Sequence, residues 1–308
     1  MSLLEVEGVT LQYKTPRHLV TAAYKIDFAV DRSDRFVILG PSGCGKSTLL
    51  KAVGGFMRPV EGTIRIRGTE VSEPGPDRMM VFQEFEQLMP WKSVLGNVLF
   101  PMRATRKFGR SEARDRAEAA IDKVRLTKFR DAYPHMLSGG MKMRVAIARA
   151  MVLEPDILLM DEPFAALDAL TRRAMQQELL SLWRQLRFTV LFVTHSIEEA
   201  MLIGSRILVL TPHPGRVRAE LDADGFDFDT MDRTEFGAMS KRIHRLLFEP
   251  VTDDPIATSL QGSAANAVTA GVATKQVDLH GIYELSILNR ILTQRGLPTV
   301  SASGLGKD

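Results

Sequence analysis

The run Gly40-Pro41-Ser42-Gly43-Cys44-Gly45-Lys46-Ser47-Thr48 lies between a short apolar stretch, Phe36 to Leu39, and a second apolar stretch with the texture of a helix. Its form is G-x-x-x-x-G-K-[ST] in a strand-to-helix setting, which is the context that gives the pattern meaning. Glycines let the chain fold so that successive amides point inward, and a helix starting near Lys46 adds its positive end; together they bind a polyphosphate. Lys46 is expected to reach the β and γ phosphates, Ser47 to ligate Mg²⁺ through its hydroxyl, and Thr48 to donate to the α phosphate. The chemistry is nucleotide binding, with ATP and Mg²⁺ as the expected ligands. Cys44 inside the loop is expected to be a small filler whose alkylation blocks ATP binding.

Further chemistry-bearing residues follow at the ends of apolar runs. Ile157 to Met160 ends in Asp161-Glu162, and Thr189 to Val193 is followed by Thr194 and His195. Met79 to Phe82 is followed by Gln83. In enzymes with this phosphate loop the first acid after such a run, here Asp161, helps hold Mg²⁺. The sequence Leu137-Ser138-Gly139-Gly140-Met141 precedes the apolar helix Val145 to Ala150. A helix start with a serine and two free glycine amides can hold a phosphate, although taken alone it is also an ordinary N-cap. Ala166-Leu167-Asp168 offers one more cap, and Tyr13 an aromatic in an early β-rich run.

In order and spacing these motifs resemble the ABC ATPase family, and the resemblance covers about residues 3 to 220. Leu137 to Met141 is similar to the family's LSGGQ signature, so Ser138, Gly139 and Gly140 are implied to hold the γ phosphate of a nucleotide bound by the opposite subunit. The resemblance implies that Glu162 orients and deprotonates the attacking water. His195 is implied to contact the γ phosphate, and Gln83 to read Mg²⁺ and that water. Asp168 resembles the loop residue that crosses the dimer interface, and Tyr13 the aromatic that stacks on adenine. Each half-site is incomplete in this family, so the resemblance implies a head-to-tail homodimer that closes on ATP and opens on hydrolysis.

The elements that must position these residues are legible in outline. β-rich runs at about 3 to 12, 21 to 30 and 63 to 68 suggest a small antiparallel sheet. Core strands are expected at Phe36 to Leu39, Arg78 to Gln83, 156 to 160, 189 to 193 and 206 to 210, with crossovers between them as a parallel sheet requires. From about 88 to 152 the texture is helical, and SEARDRAEAAIDKV suggests Ser111 as an N-cap. The expected fold is α/β: a mostly parallel core sheet, an N-terminal antiparallel β subdomain and an inserted helical subdomain. An ATPase domain is expected over 1 to 220, a helical segment over 221 to 250, and a linker-like extension over 251 to 308. That extension holds one expected helix at 282 to 294, with Leu285, Ile287, Leu288, Ile291 and Leu292 on its apolar side.

Composition narrows the class. The 308 residues carry a net charge of only +3, spread along the chain, with no basic stripe of the kind that grips nucleic acid. The single cysteine, Cys44, excludes an intramolecular disulfide or a cysteine-built metal site and agrees with a reducing compartment. No apolar run approaches the roughly 18 residues that span a bilayer, so a membrane role is expected to be peripheral, on the cytoplasmic side. One phosphate loop and no heptad run argue against the DNA-repair and translation classes of the resembled family. Leu88 to Val94, Pro163 to Arg172 and Pro212 to Val217 resemble its nitrate, sulfonate and taurine importer group, and Met141 and Met143 stand where Gln is commoner. The implied partners are a second copy, separate permease subunits and, indirectly, an extracytoplasmic solute-binding protein. The alternative is a regulatory ABC module that binds ATP and partners without sustained transport.

Overall fold

The computed structural model describes residues 2–14, 19–82 and 87–249. Gln83 and the expected helix at 282 to 294 lie outside the described residues. In chain order the elements are β1 (Leu4–Lys14), β2 (Leu19–Val30), β3 (Arg35–Leu39), α1 (Lys46–Val53), β4 (Glu61–Ile66), β5 (Thr69–Glu70), β6 (Arg78–Val81), α2 (Val94–Thr105), α3 (Arg110–Lys123), α4 (Gly139–Met151), β7 (Ile157–Asp161), α5 (Ala169–Leu186), β8 (Thr189–Thr194), α6 (Ile197–Ile203), β9 (Arg206–Leu210), β10 (Val217–Asp222) and α7 (Thr234–Phe248).

One sheet has the order β2-β1-β4-β5, with β4 antiparallel to both β1 and β5. Its register pairs Leu4 with Ile66 and Val6 with Ile64, which puts four buried side chains on one face. The other sheet has the order β10-β9-β3-β8-β7-β6, parallel from β9 to β6 and closed at one edge by antiparallel β10. Strand β3 shows how this sheet separates two layers. Phe36 and Ile38 pack with Leu49 and Leu50 of α1 and with the antiparallel sheet, whereas Val37 and Leu39 pack with the helices α4 to α6 on the other side. Strands buried on both faces read as unbroken apolar runs, and β3, β7 and β8 all do.

Helices α2, α3 and α4 pack on one another through Val98, Met102, Ala117, Ile121, Met143 and Ile147. Two expected details differ. Helix α3 is capped by Gly109, whose carbonyl already accepts from Ala113 N at 2.9 Å, so Ser111 is the second helical residue and not the cap. Strand β6 ends at Val81, two residues before the expected Gln83.

The chain divides into two units, one of Met1–Tyr13 and Ala22–Leu247 and another of Lys14–Thr21 and Phe248–Asp308. Within the first, β10 runs across residue 220, and Phe236, Ile243 and Leu247 of α7 join the same core as the helices α2 to α6.

Candidate functional site

Sheet order assembles the site. Parallel strands β3, β8, β7 and β6 are neighbours, spaced about 4.8 Å apart, so the segments leaving their C-terminal ends form a row. In that row stand the loop Gly40 to Gly45, then Thr194-His195, then Asp161-Glu162, then Phe82 at the edge of the undescribed 83–86. Ligands of open α/β sheets bind at this end of the strands.

The phosphate loop is held from behind by backbone. Gly43 and Gly45 have φ of +80° and +90°, a left-handed geometry that side chains resist. A Cβ on Gly45 would come 2.4 Å from the carbonyl oxygen of Ala22 on β2, and one on Gly215 would come 2.1 Å from that of Cys44. Gly215 also donates to Ala22 O (3.0 Å), so the turn Pro212 to Arg216 and strand β2 both brace the loop. In the sequence that turn stands out only through its resemblance to the importer group. Cys44 faces inward: its side chain is fully buried in the core beside Leu49 and Leu50, and burial pushes its thiol pKa up.

Lys46, at the start of α1, is buried and donates through Nζ to the carbonyls of Gly40 (2.9 Å) and Pro41 (3.0 Å), with Glu162 Oε1 3.8 Å away. The next residue, Ser47, donates its hydroxyl to Asp161 Oδ1 at 2.7 Å. Burial raises the Asp161 pKa, the Ser47 hydrogen bond opposes it, and the neighbouring Glu162 charge raises it further. A hydroxyl and a carboxylate converging in this way are hard oxygen donors, of the kind Mg²⁺ takes while its remaining positions go to water and phosphate. The residues therefore fit that ion.

Glu162 adopts φ +42°, an unfavourable conformation for a side chain of its size and worth about 1 to 3 kcal/mol of strain. Two hydrogen bonds hold it there: its N–H donates to Val193 O (3.0 Å) and its carbonyl accepts from Ala165 N (3.1 Å). The carboxylate is thereby turned toward β8, where His195 Nδ1 lies 2.9 Å from Oε2. The structure thus brings together Lys46, Ser47, Asp161, Glu162 and His195.

Ser138 and Asp168 occupy helix starts. Ser138 caps α4, accepting from Met141 N at 3.3 Å, and Asp168 caps α5, accepting from Thr171 N at 3.0 Å. The two caps adjoin, since a Cβ on Gly140 would come 3.0 Å from Thr171 Cγ2. Among the described residues no hydrogen bond or ion pair joins Ser138, Gly139 or Gly140 to the phosphate loop of the same chain. Tyr13 lies at the end of β1 with 44 % of its surface exposed. A separate cleft of about 510 Å³ lies at the opposite ends of β7 and β8, lined by Lys123, Val152 and Leu186 among others, and includes none of the expected site residues.

Three polar residues that the sequence did not single out shape the surroundings. Buried Asn97 ties down the preceding loop, donating to the carbonyls of Met89, Lys92 and Ser93 and accepting from Met89 N. Arg149 of α4 donates to the carbonyl and side-chain oxygens of Gln87, which in turn bonds both backbone groups of Phe82 across residues 83–86. Glu199 of α6 is buried next to His195, where it accepts from Thr194 Oγ1 and from Gln176 Nε2. A lone Asn, Arg or Glu carries no spacing signal, so only the long-range contacts reveal them.

Residues 24–165 match the family described as ABC transporter. The taurine import ATP-binding protein of Rhizobium johnstonii is 48 % identical over 208 residues, which covers 67 % of this chain and 78 % of that protein. The nitrate import ATP-binding protein of Synechococcus elongatus is 41 % identical over 225 residues, 73 % of this chain and 82 % of that one. The solved dimeric structure of a post-hydrolysis state of an ATP-binding cassette bound to ADP and Pi has a TM-score of 0.62 and 32 % identity, covering 72 % of this chain and all of that one.

Proposed function

The chain belongs to the ABC transporter family, and from that membership we propose that it powers import of a small anionic or zwitterionic solute, of the nitrate or sulfonate kind, through separate membrane-spanning subunits. It binds and hydrolyses ATP. The observation that carries the mechanism is the Glu162–His195 pair, 2.9 Å apart, beside the Ser47–Asp161 pair at the mouth of the phosphate loop.

In this reading the amides of Gly43 to Thr48 and the Lys46 ammonium hold the phosphates, with Gly40, Pro41, Ser42 and Cys44 shaping the loop. Tyr13 stacks on adenine. Ser47 and Asp161, together with Gln83, would hold Mg²⁺, which when bound would supply positive charge to neutralise the phosphates. Glu162 accepts a proton from the attacking water as its oxygen bonds to the γ phosphorus and the bond to the β–γ bridging oxygen breaks, releasing ADP and phosphate. His195 orients Glu162 and donates to a γ-phosphate oxygen. A carboxylate positioned as general base contributes roughly 10²- to 10⁴-fold.

Ser138, Gly139, Gly140 and Asp168 serve the site of a second copy packed head to tail. The start of α4 supports this assignment, because a helix N-terminus that presents the amides of Gly139 and Gly140 beside the Ser138 hydroxyl is suited to a phosphate. ATP then acts as an adhesive between subunits, and its hydrolysis releases them. The permease contact is assigned to the loop held by Asn97, which presents Trp91 with 73 % of its surface exposed. No helix among the described residues is long and apolar enough to cross a membrane; attachment to the cytoplasmic face through the permease, with a solute-binding protein on the far side, follows from the import reading. The test is ATP turnover by the purified chain with and without its permease, together with uptake of labelled taurine and nitrate by cells lacking the gene. Unstimulated turnover and unchanged uptake of both would reject the import assignment in favour of a regulatory module.

A further inference from the structure

His195 and Asp168 leave the core on different elements, yet one buried carboxylate links them. Glu199 accepts from the Thr194 hydroxyl on Oε2 and from Gln176 Nε2 at 2.9 Å on Oε1. The Thr194 oxygen also accepts from Ser196 N at 3.0 Å, and Ser196 Oγ accepts from Glu199 N at 3.3 Å. His195 therefore sits inside a closed ring of hydrogen bonds made by the residues on either side of it and by Glu199. The ring continues into α5. Gln176 lies one turn beyond Arg172, whose guanidinium donates to the carbonyls of Phe164 (3.3 Å) and Leu167 (2.9 Å), the approach to Asp168. A small cavity of about 60 Å³ is lined at once by Glu162, Arg172, Thr194, His195 and Glu199.

A buried carboxylate is costly unless its oxygens are bonded, and an apolar side chain would fill the same space between α5 and α6. Both bonds run toward the carboxylate, one to each oxygen, so an amide in its place keeps an acceptor for only one of the two donors. We propose that Glu199 is a positioning residue for ATP hydrolysis: through Thr194 it sets His195 against Glu162, and through Gln176 it ties that pair to α5 and the Asp168 loop. Glu199 touches no reacting atom. A shift of the loop 163–168 moves Arg172 and Gln176 with their helix and reaches His195 through Glu199, alongside the direct path through Glu162, whose carbonyl accepts from Ala165 N. Packed interiors transmit such shifts in discrete steps. The proposal rests on the assignment of Glu162 and His195 to hydrolysis.

The experiment uses the full chain with Glu199→Gln, Thr194→Val, Thr194→Ser and the double variant Glu199→Gln/Thr194→Val, each measured for Tm, MgATP affinity, KM and kcat. Glu199→Gln and Thr194→Val are expected to lower kcat about tenfold or more with KM and affinity within about twofold, the signature of lost alignment at the transition state. Thr194→Ser is expected to recover the rate that Thr194→Val loses, and the double variant to fall no lower than the worse single one, because the residues act as a unit. Equal kcat for Thr194→Val and Thr194→Ser, a loss of kcat matched by a loss of affinity, or additive losses in the double variant would overturn the proposal. If Glu199→Gln does not fold, the Thr194 pair, which leaves the carboxylate in place, decides alone. Normal turnover by Glu162→Gln would instead remove the assignment beneath it.

Discussion

Glu162 Oε2 and His195 Nδ1 lie 2.9 Å apart across the ends of adjacent parallel strands, and the register that pairs Asp161 with Val193 sets that distance. The pair is built from a strained backbone on one side and an ordinary strand end on the other. Glu162→Gln keeps the shape and the hydrogen bond to the imidazole but removes the proton acceptor. We expect it to retain MgATP binding within about twofold while turnover falls by roughly 10² or more. Near-normal hydrolysis by that variant, in a steady-state phosphate-release assay, takes Glu162 out of its role.

Lys46→Ala and Ser138→Ala damage different halves of the proposed composite site. Each variant alone breaks both sites of a head-to-tail homodimer, whereas a mixed dimer has one site with both faults and one site intact. Mixing the two inactive proteins is expected to restore up to about a quarter of wild-type turnover. No recovery after subunit exchange, verified by mass spectrometry of the mixed dimer, contradicts the arrangement. Ser138→Ala also loses the cap of α4, so it is expected to be less stable by about 1 kcal/mol.

The Ser47–Asp161 hydrogen bond joins two of the oxygens assigned to Mg²⁺. Chelation of divalent ions by EDTA should abolish hydrolysis, and restored Mg²⁺ should recover it. Ser47→Ala should raise the Mg²⁺ concentration needed for half-maximal turnover by about tenfold, by removing one direct ligand and freeing its partner. A titration curve unchanged in Ser47→Ala excludes the hydroxyl as a ligand.

Cys44 lies in the phosphate loop by sequence but in the core by structure, and burial both covers the thiol and raises its pKa. Less thiolate is present at neutral pH than for a free cysteine, and the thiolate is the species that reacts. Alkylation of the native protein should therefore be slower than that of the unfolded chain by about 10² or more, and any nucleotide-binding loss should track local opening. Rapid stoichiometric labelling at pH 7 in native buffer would show that the loop opens far more readily than its packing implies.

Glu199 predicts a pH effect of known sign. Burial raises its folded-state pKa, so the native protein binds that proton more tightly than the unfolded chain, whose carboxyl titrates near about 4.3. The stabilisation is complete below that value and is lost as pH rises through the higher folded value. Replacing Glu199 with Gln deletes the dependence. The Tm of the variant relative to wild type should climb as pH rises above the unfolded carboxyl's value of about 4.3, and a flat difference would show that the carboxyl is not governed by burial.

How much of this could be read in advance depends on the range of the interaction. Strands β3, β7, β8 and β9 stand where unbroken apolar runs placed them, because a strand buried on both faces advertises itself. The phosphate loop is equally legible, since its glycines, lysine and serine are consecutive. Ser111 misled because Gly109, with no side-chain cap to offer, closes the first turn of α3. Cys44 is buried, as a small filler would be, but which way its side chain turns depends on packing with Leu49 and Leu50 and on the close approach of Gly215, which the motif's spacing does not encode. Thr194, Gln176 and Glu199 are joined across three elements, and only the folded chain brings them within hydrogen-bonding distance.

Ala22 and Gly215, hydrogen-bonded to each other, back the phosphate loop at Gly45 and Cys44. A loop whose curvature is already imposed by its neighbours surrenders little freedom when a ligand enters it, so less of the interaction is spent on ordering it. The receptacle for the triphosphate is thus shaped beforehand by its neighbours, before any ligand enters it.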